Sequence, residues 1–209
     1  MMSPENKEST NDLNEIRITT GCSEEEACPK VKRKRIAKHE DMILTILIEI
    51  PKGSRNKYEY DKERKVIKFD RMLFSAVHYP SDYGFIVETL AGDSDPLDAL
   101  VLVSEPTFPG CLIEAKPVGL FRMRDEKGPD EKILCVPMGD PHWNFIKELS
   151  DVPAHLLKEI EHFFNIYKEL EKKKTGVDGW EDRESAIKAV LESQKRYQDD
   201  LKELGNSRI

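Results

Sequence analysis

Two apolar runs, Gly84–Leu90 and Leu97–Val103, bracket Asp93-Ser94-Asp95-Pro96-Leu97-Asp98, which crowds three carboxylates into six residues. Both runs read as strands, so the acids sit on the connection between two buried elements. At a few ångströms' separation each like-charged pair costs roughly 1 to 4 kcal/mol, depending on how wet the site is. Such a turn calls for something positive to bind it, and all-oxygen ligands favour a hard divalent cation such as Mg2+. In an extended segment residues two apart share a side, which lets Asp93 and Asp95 flank one point. Pro96 fixes its own φ and has no N–H, so the ladder breaks there and the bend swings Asp98 back towards the first two. The competing reading is a solvated acidic turn. An EF-hand fits poorly, because its loop wants Gly at the sixth position and Glu at the twelfth, where this chain has Asp98 and Ser104.

With 209 residues, 38% hydrophobic and 35% charged, the chain suits one domain of ordinary size with a very polar surface. Residues 1–40 are polar without a sustained period and read as a disordered or draped leader, leaving 41–209 as a single folded domain. Within that leader the basic run 30–35 reads as a solvated linker ahead of the first strand, with an address or an anion-binding patch as the alternatives. A formal net charge of −7 argues against nucleic acid or an anionic membrane surface as partner. No apolar stretch approaches the ~20 residues of a membrane span, and the amino terminus lacks the apolar core of a secretion signal. Cys22, Cys28, Cys111 and Cys135 are scattered without C-x-x-C spacing. Free thiols in a reducing compartment, hence a cytoplasmic location, are the simplest expectation.

Along the chain, Met42–Ile50 is β-branched and apolar, a strand interrupted by Glu49, which lies either at an edge or against a polar cavity. Lys57–Tyr60 alternates, with Lys57 and Glu59 on one face and both tyrosines on the other, and Val66–Asp70 returns as the second half of a hairpin. The segment 73–84 is rich in aromatics, and His78 there reads as a core or rim residue rather than a ligand. Further strands are expected at Cys111–Ala115, Pro117–Met123 and Ile133–Pro137, with Asp125–Asp130 as a hairpin loop that adds a second acidic cluster. From Pro153 the period becomes helical, through Leu156, Ile160, Phe163, Phe164 and Tyr167, with Asp151 as the expected cap. Thr175–Gly179 breaks this helix, and Ser185–Leu204 forms a second, more polar one.

These motifs together resemble the soluble family I inorganic pyrophosphatases. The resemblance rests on Asp93–Asp98, Glu49-Ile50-Pro51, Lys57-Tyr58-Glu59, Asp70-Arg71, Tyr79-Pro80 and Tyr83-Gly84. It continues through Asp125-Glu126, Asp130-Glu131-Lys132, His162-Phe163-Phe164, Tyr167-Lys168 and Gly179-Trp180, spanning about residues 42–197. It implies an α+β, mainly β fold, an OB-like five-stranded β-barrel with flanking C-terminal helices, and hydrolysis of inorganic pyrophosphate by a metal-activated water. By the same resemblance, Asp93, Asp98, Asp125 and Asp130 are metal ligands and Asp95 is the proton acceptor. Lys57, Arg71 and Tyr83 match catalytic phosphate contacts, joined by Lys132, Tyr167 and Lys168. Glu49, Glu59, Tyr79 and Glu126 match residues that line the cavity behind the ligands. Several Mg2+ ions per site are implied, with Mn2+ or Zn2+ as substitutes. A homo-oligomer is implied too, a hexamer in preference to a dimer.

The chemistry fits those residue types. Clustered aspartates hold cations, lysines and an arginine neutralise phosphate oxygens, and a guanidinium can do so bidentately. A D-x-D nucleotidyl or glycosyl transferase is the alternative enzyme, although the chain has no Gly-rich phosphate loop. An OB-type nucleic-acid module would need an exposed basic and aromatic face, which the negative net charge opposes.

Overall fold

A computed structural model of the chain describes residues 42–206. The leader, with its basic run, Cys22 and Cys28, lies outside the described residues. The alternating apolar run gives β1 (Leu44–Ile50), in which every second residue is buried. The Lys57–Tyr60 and Val66–Asp70 segments form the hairpin β2 (Asn56–Asp61) and β3 (Val66–Met72), a separate two-stranded sheet. β4 (Asp82–Ile86), β5 (Asp98–Val101), β6 (Leu112–Asp125) and β7 (Gly128–Pro137) join β1 in the order β1-β4-β5-β7-β6, and a β1–β6 pairing closes the ring. The result is the five-stranded OB-like barrel, antiparallel except for the β5–β7 pair. β8 (Gly176–Glu181) extends β6 beyond the ring.

Strands buried on both faces carry runs rather than alternations of apolar residues. Along β7, Ile133 and Cys135 belong to one buried cluster and Leu134 and Val136 to another. The first cluster includes Ala186, Ala189 and Val190 of α2 (Arg183–Asn206); the second includes Ile160, Phe163 and Phe164 of α1 (Ala154–Ile166). The two C-terminal helices therefore serve opposite faces of the same strands. Gly84 explains how closely β1 and β4 cross: a Cβ there would sit 2.0 Å from the Leu47 carbonyl oxygen.

Several boundaries differ from the sequence reading. The Gly84–Leu90 run leaves its strand at Ile86, because Glu88 turns at φ 60° and Leu90 N–H bonds the Ser193 carbonyl of α2. Cys111–Ala115 and Pro117–Met123 fuse into one 14-residue strand with a bulge at Pro117–Gly119 that absorbs the proline. The 175–179 break holds β8, whose strand period is too short to stand out. Asp151 does not cap α1; its carboxylate accepts the Lys147 and Glu148 N–H groups, each at 3.0 Å, and Pro153 stands at the cap.

The acidic connection is pinned at both ends by buried Thr89. Its hydroxyl donates to the Ile86 carbonyl at 2.6 Å and accepts the Leu97 N–H at 2.9 Å. Thr89→Val keeps the shape and leaves both backbone groups unsatisfied, so a loss of about 1–3 kcal/mol is expected in urea unfolding. An unchanged midpoint would show that the loop is held elsewhere.

Candidate active site

Register builds the centre of the site. Asp98 opens β5 directly opposite Lys132 of the parallel β7, and Asp130, two residues earlier, lies on the same side of that strand. The Lys132 ammonium donates to Asp98 Oδ2 at 2.6 Å, to Asp130 Oδ1 at 2.7 Å and to the Tyr83 hydroxyl at 3.3 Å. Tyr83 in turn donates its O–H to Asp98. Lys132 is almost fully buried, beneath the rings of Tyr83 and Phe164 at 5.3 and 5.4 Å. Burial works against its charge, but Asp98 and Asp130 more than reverse this and hold it protonated. Burial also pushes the Asp130 carboxyl up, against the pull of Lys132, and it pushes the Tyr79 and Tyr83 phenols up.

The end of α1 supplies the second group. Its aromatic face packs Phe163 on Tyr79 at 4.9 Å and stacks Phe163 on Tyr167 at 5.3 Å, and Lys168 follows directly with its side chain largely buried. Lys168 bonds Asp125 at 2.8 Å and lies 3.7 Å from Glu126 across the β6–β7 turn. Burial raises Asp125, but Lys168 outweighs it and the carboxyl lies below the usual range.

The hairpin supplies the third. Lys57 pairs in register with Arg71, bonds Glu59, and lies 3.4 Å from Asp70, which also accepts from Arg71. Burial opposes the charge of Asp70, yet Lys57 and Arg71 outweigh it and hold its carboxyl low. Glu49 sits at the irregularity between Ile48 and Ile50 of β1 and accepts the Tyr60 N–H of β2 at 2.7 Å. Burial raises it to about 7, against that hydrogen bond and with a further push from Asp98. Of the two placements open to Glu49, the structure shows the enclosed one.

Asp93 and Asp95 stand apart from these groups. They are exposed, Asp95 pairs with Lys62 at 3.0 Å, and its N–H bonds Asp93 Oδ1 at 3.1 Å. Ser94 turns at φ 69° and the Ala91 N–H bonds the Asp95 carbonyl, so the segment is a tight turn instead of the expected extended one. Among the described residues no three carboxylate, imidazole or thiol side chains gather tightly enough to hold an ion. His78 is exposed, and Cys111 and Cys135 are free thiols. Sequence reasoning did not single out Lys62 or Glu171 as site residues. Asp70 was signalled by its place beside Arg71, whereas Glu171 ends an apolar helical stripe and carries no signal of its own.

Fold and side chains define a class: an OB-like β-barrel whose clustered carboxylates pair with lysines and an arginine. The family model described as inorganic pyrophosphatase matches residues 46–198. The chain is 61% identical to the inorganic pyrophosphatase of Methanosarcina mazei over 163 residues, covering 78% of this chain and 96% of that one. Against the Synechocystis inorganic pyrophosphatase it is 50% identical over 155 residues, covering 74% and 92%. The solved inorganic pyrophosphatase of Thermus thermophilus superposes with a TM-score of 0.73 at 46% identity, covering 75% of this chain and 91% of that one. That of Helicobacter pylori gives 0.72 at 42%, covering 75% and 94%. The chain belongs to the inorganic pyrophosphatase family and is a hydrolase of the inorganic diphosphatase class.

Proposed function

We propose that the chain hydrolyses inorganic pyrophosphate to two orthophosphates with Mg2+. The observation that carries the reading is the Asp98–Lys132–Asp130 triplet, two carboxylates already gathered around one positive charge. Lys57, Arg71, Lys132, Lys168 and the Tyr83 and Tyr167 hydroxyls are the groups that take the phosphate oxygens. The lysines enter already ion-paired, so substrate replaces carboxylate partners instead of water. In their chemistry the donors fit a hard cation, because Asp93, Asp98, Asp125 and Asp130 offer only oxygen; Asp98 and Asp130 already meet at Lys132, and Asp93 would have to join them from the exposed turn. Magnesium held there would supply charge neutralisation for the phosphate oxygens and a more acidic attacking water. Asp95, freed from Lys62, is the proton acceptor in this scheme, and its exposure keeps it within reach of solvent. Glu49, Glu59, Tyr79 and Glu126 hold the cleft walls.

The same reading assigns residues 41–209 to one catalytic domain, in a cytoplasmic homo-oligomer with a hexamer favoured over a dimer. It also allows Mn2+ or Zn2+ as substitutes. The test is phosphate release from pyrophosphate by the full chain with Mg2+, with excess chelator, and in the Asp98→Asn variant. Turnover that needs the metal and collapses in the variant supports it. A folded, metal-supplied protein without turnover refutes it.

A further inference from the structure

From Glu59 to Asp125 the charged side chains form a continuous chain of contacts through Lys57, Asp70, Arg71, Glu171, Lys173, Glu126 and Lys168, and its middle member, Glu171, belongs to none of the roles assigned above. Glu171 closes the short 3-10 turn Glu169–Glu171 that follows α1, and its side chain is only 5% exposed. Its Oε1 accepts the Arg71 Nε–H at 3.0 Å, across 100 residues of sequence and between two different sheet and helix systems. Its Oε2 lies 3.8 Å from Lys173, which reaches Glu126 at 3.5 Å. A carboxylate this enclosed is costly unless paired, and a buried pair is a weak device for stability alone. The hydrogen bonds of Arg71 show what the pair achieves. Nε is taken by Glu171 and Nη1 by Asp70, while Nη2 has no hydrogen-bond partner among the described residues. Two anchors fix the plane of a guanidinium, and the third nitrogen then points one way.

We propose that Glu171 is a positioning residue for pyrophosphate: it locks the Arg71 guanidinium so that the Nη2 donors meet a phosphoryl oxygen. The inference rests on the reading of Arg71 as a phosphate contact. A held guanidinium loses less freedom on binding than a free one, so the effect falls on ground-state affinity, with a smaller change in kcat. Because the β2–β3 hairpin is its own sheet, this contact also ties the hairpin's cation to the segment that carries Lys168.

The test is a mutant cycle on the full chain with Mg2+: wild type, Glu171→Ala, Glu171→Gln, Arg71→Ala, and each Glu171 variant combined with Arg71→Ala. Readouts are kcat and KM for pyrophosphate, the Kd of methylenediphosphonate by calorimetry, and Tm. Glu171→Ala is expected to raise KM and Kd about tenfold, as one charge-assisted hydrogen bond would. Glu171→Gln keeps an acceptor for Nε and recovers most of that loss. In the Arg71→Ala background neither change has a further effect. Losses that add in that background, or an unchanged Kd in Glu171→Ala, overturn the inference. Should Glu171→Ala not fold, the Gln cycle carries the same comparison at smaller amplitude. Wild type with neither turnover nor binding overturns the hydrolase reading and this inference with it; wild-type turnover with additive losses overturns this inference alone.

Discussion

Lys132→Met is expected to cost about 3–5 kcal/mol of stability and to abolish most turnover, because it removes the one cation between two enclosed carboxylates. The side chains are of similar length, so packing against Tyr83 and Phe164 survives and the loss is electrostatic. Asp98 keeps the Tyr83 hydroxyl, but Asp130 loses the ammonium that offsets its burial. Two carboxylates then face each other without a counter-charge, and the protein escapes part of the penalty by taking up a proton. The deficit relative to wild type is therefore smaller at pH 5 than at pH 8. Urea unfolding at both pH values without divalent cations measures it. Adding Asp130→Asn to Lys132→Met is expected to return a substantial part of the stability and none of the activity. A deficit that does not vary with pH, or a double variant no better than the single, would show that Lys132 acts through packing.

That centre was half legible in the sequence. The Asp93–Asp98 stretch announces an acidic site, and alternation in β7 puts Asp130 and Lys132 on one face. What one strand's pattern cannot show is that β5 runs parallel to β7 with Asp98 opposite Lys132, since register is set by the whole ring. Read alone, the aspartates are mutually repelling charges awaiting a metal; folded, Asp98 and Asp130 share a lysine, and Asp95 pairs with Lys62. The strands with strong apolar patterns, β1 and β7, were clear for the same reason that they are buried. β8 was not, because two glycines and two acids leave only Val177 and Trp180, three residues apart, and so no apolar alternation. Its place is decided by pairing with β6. The Arg71–Glu171 contact spans 100 residues, and neither local pattern hints at the other.

Glu49→Gln is expected to stabilise the metal-free protein by roughly 2–3 kcal/mol at pH 8 and to have little effect near pH 4.5. Burial raises the Glu49 carboxyl from 4.5 to about 7, the Tyr60 N–H pulls it back in part, and Asp98 adds to the rise. Below the unfolded-state value the group is neutral in both states and its proton adds nothing to the comparison. Between 4.5 and about 7 the native state keeps a proton that the unfolded chain has released, so stability falls as pH rises. Above about 7 both states are charged and the full penalty remains. Glutamine removes the titration and still accepts the Tyr60 N–H through its carbonyl oxygen. Asp70 and Asp125, held low by their lysines, contribute the opposite slope but do so equally in wild type and variant, so they cancel in the difference. The measurement is the variant-minus-wild-type unfolding free energy from pH 4 to 8; a flat difference would mean that Glu49 is ionised throughout and better solvated than its enclosure indicates. A carboxylate kept in place at this cost fits a cleft arranged for positive charge. Cations entering beside Glu49 would offset its buried charge and cancel the penalty, so the gain from Gln at pH 8 is expected to shrink when saturating Mg2+ is added.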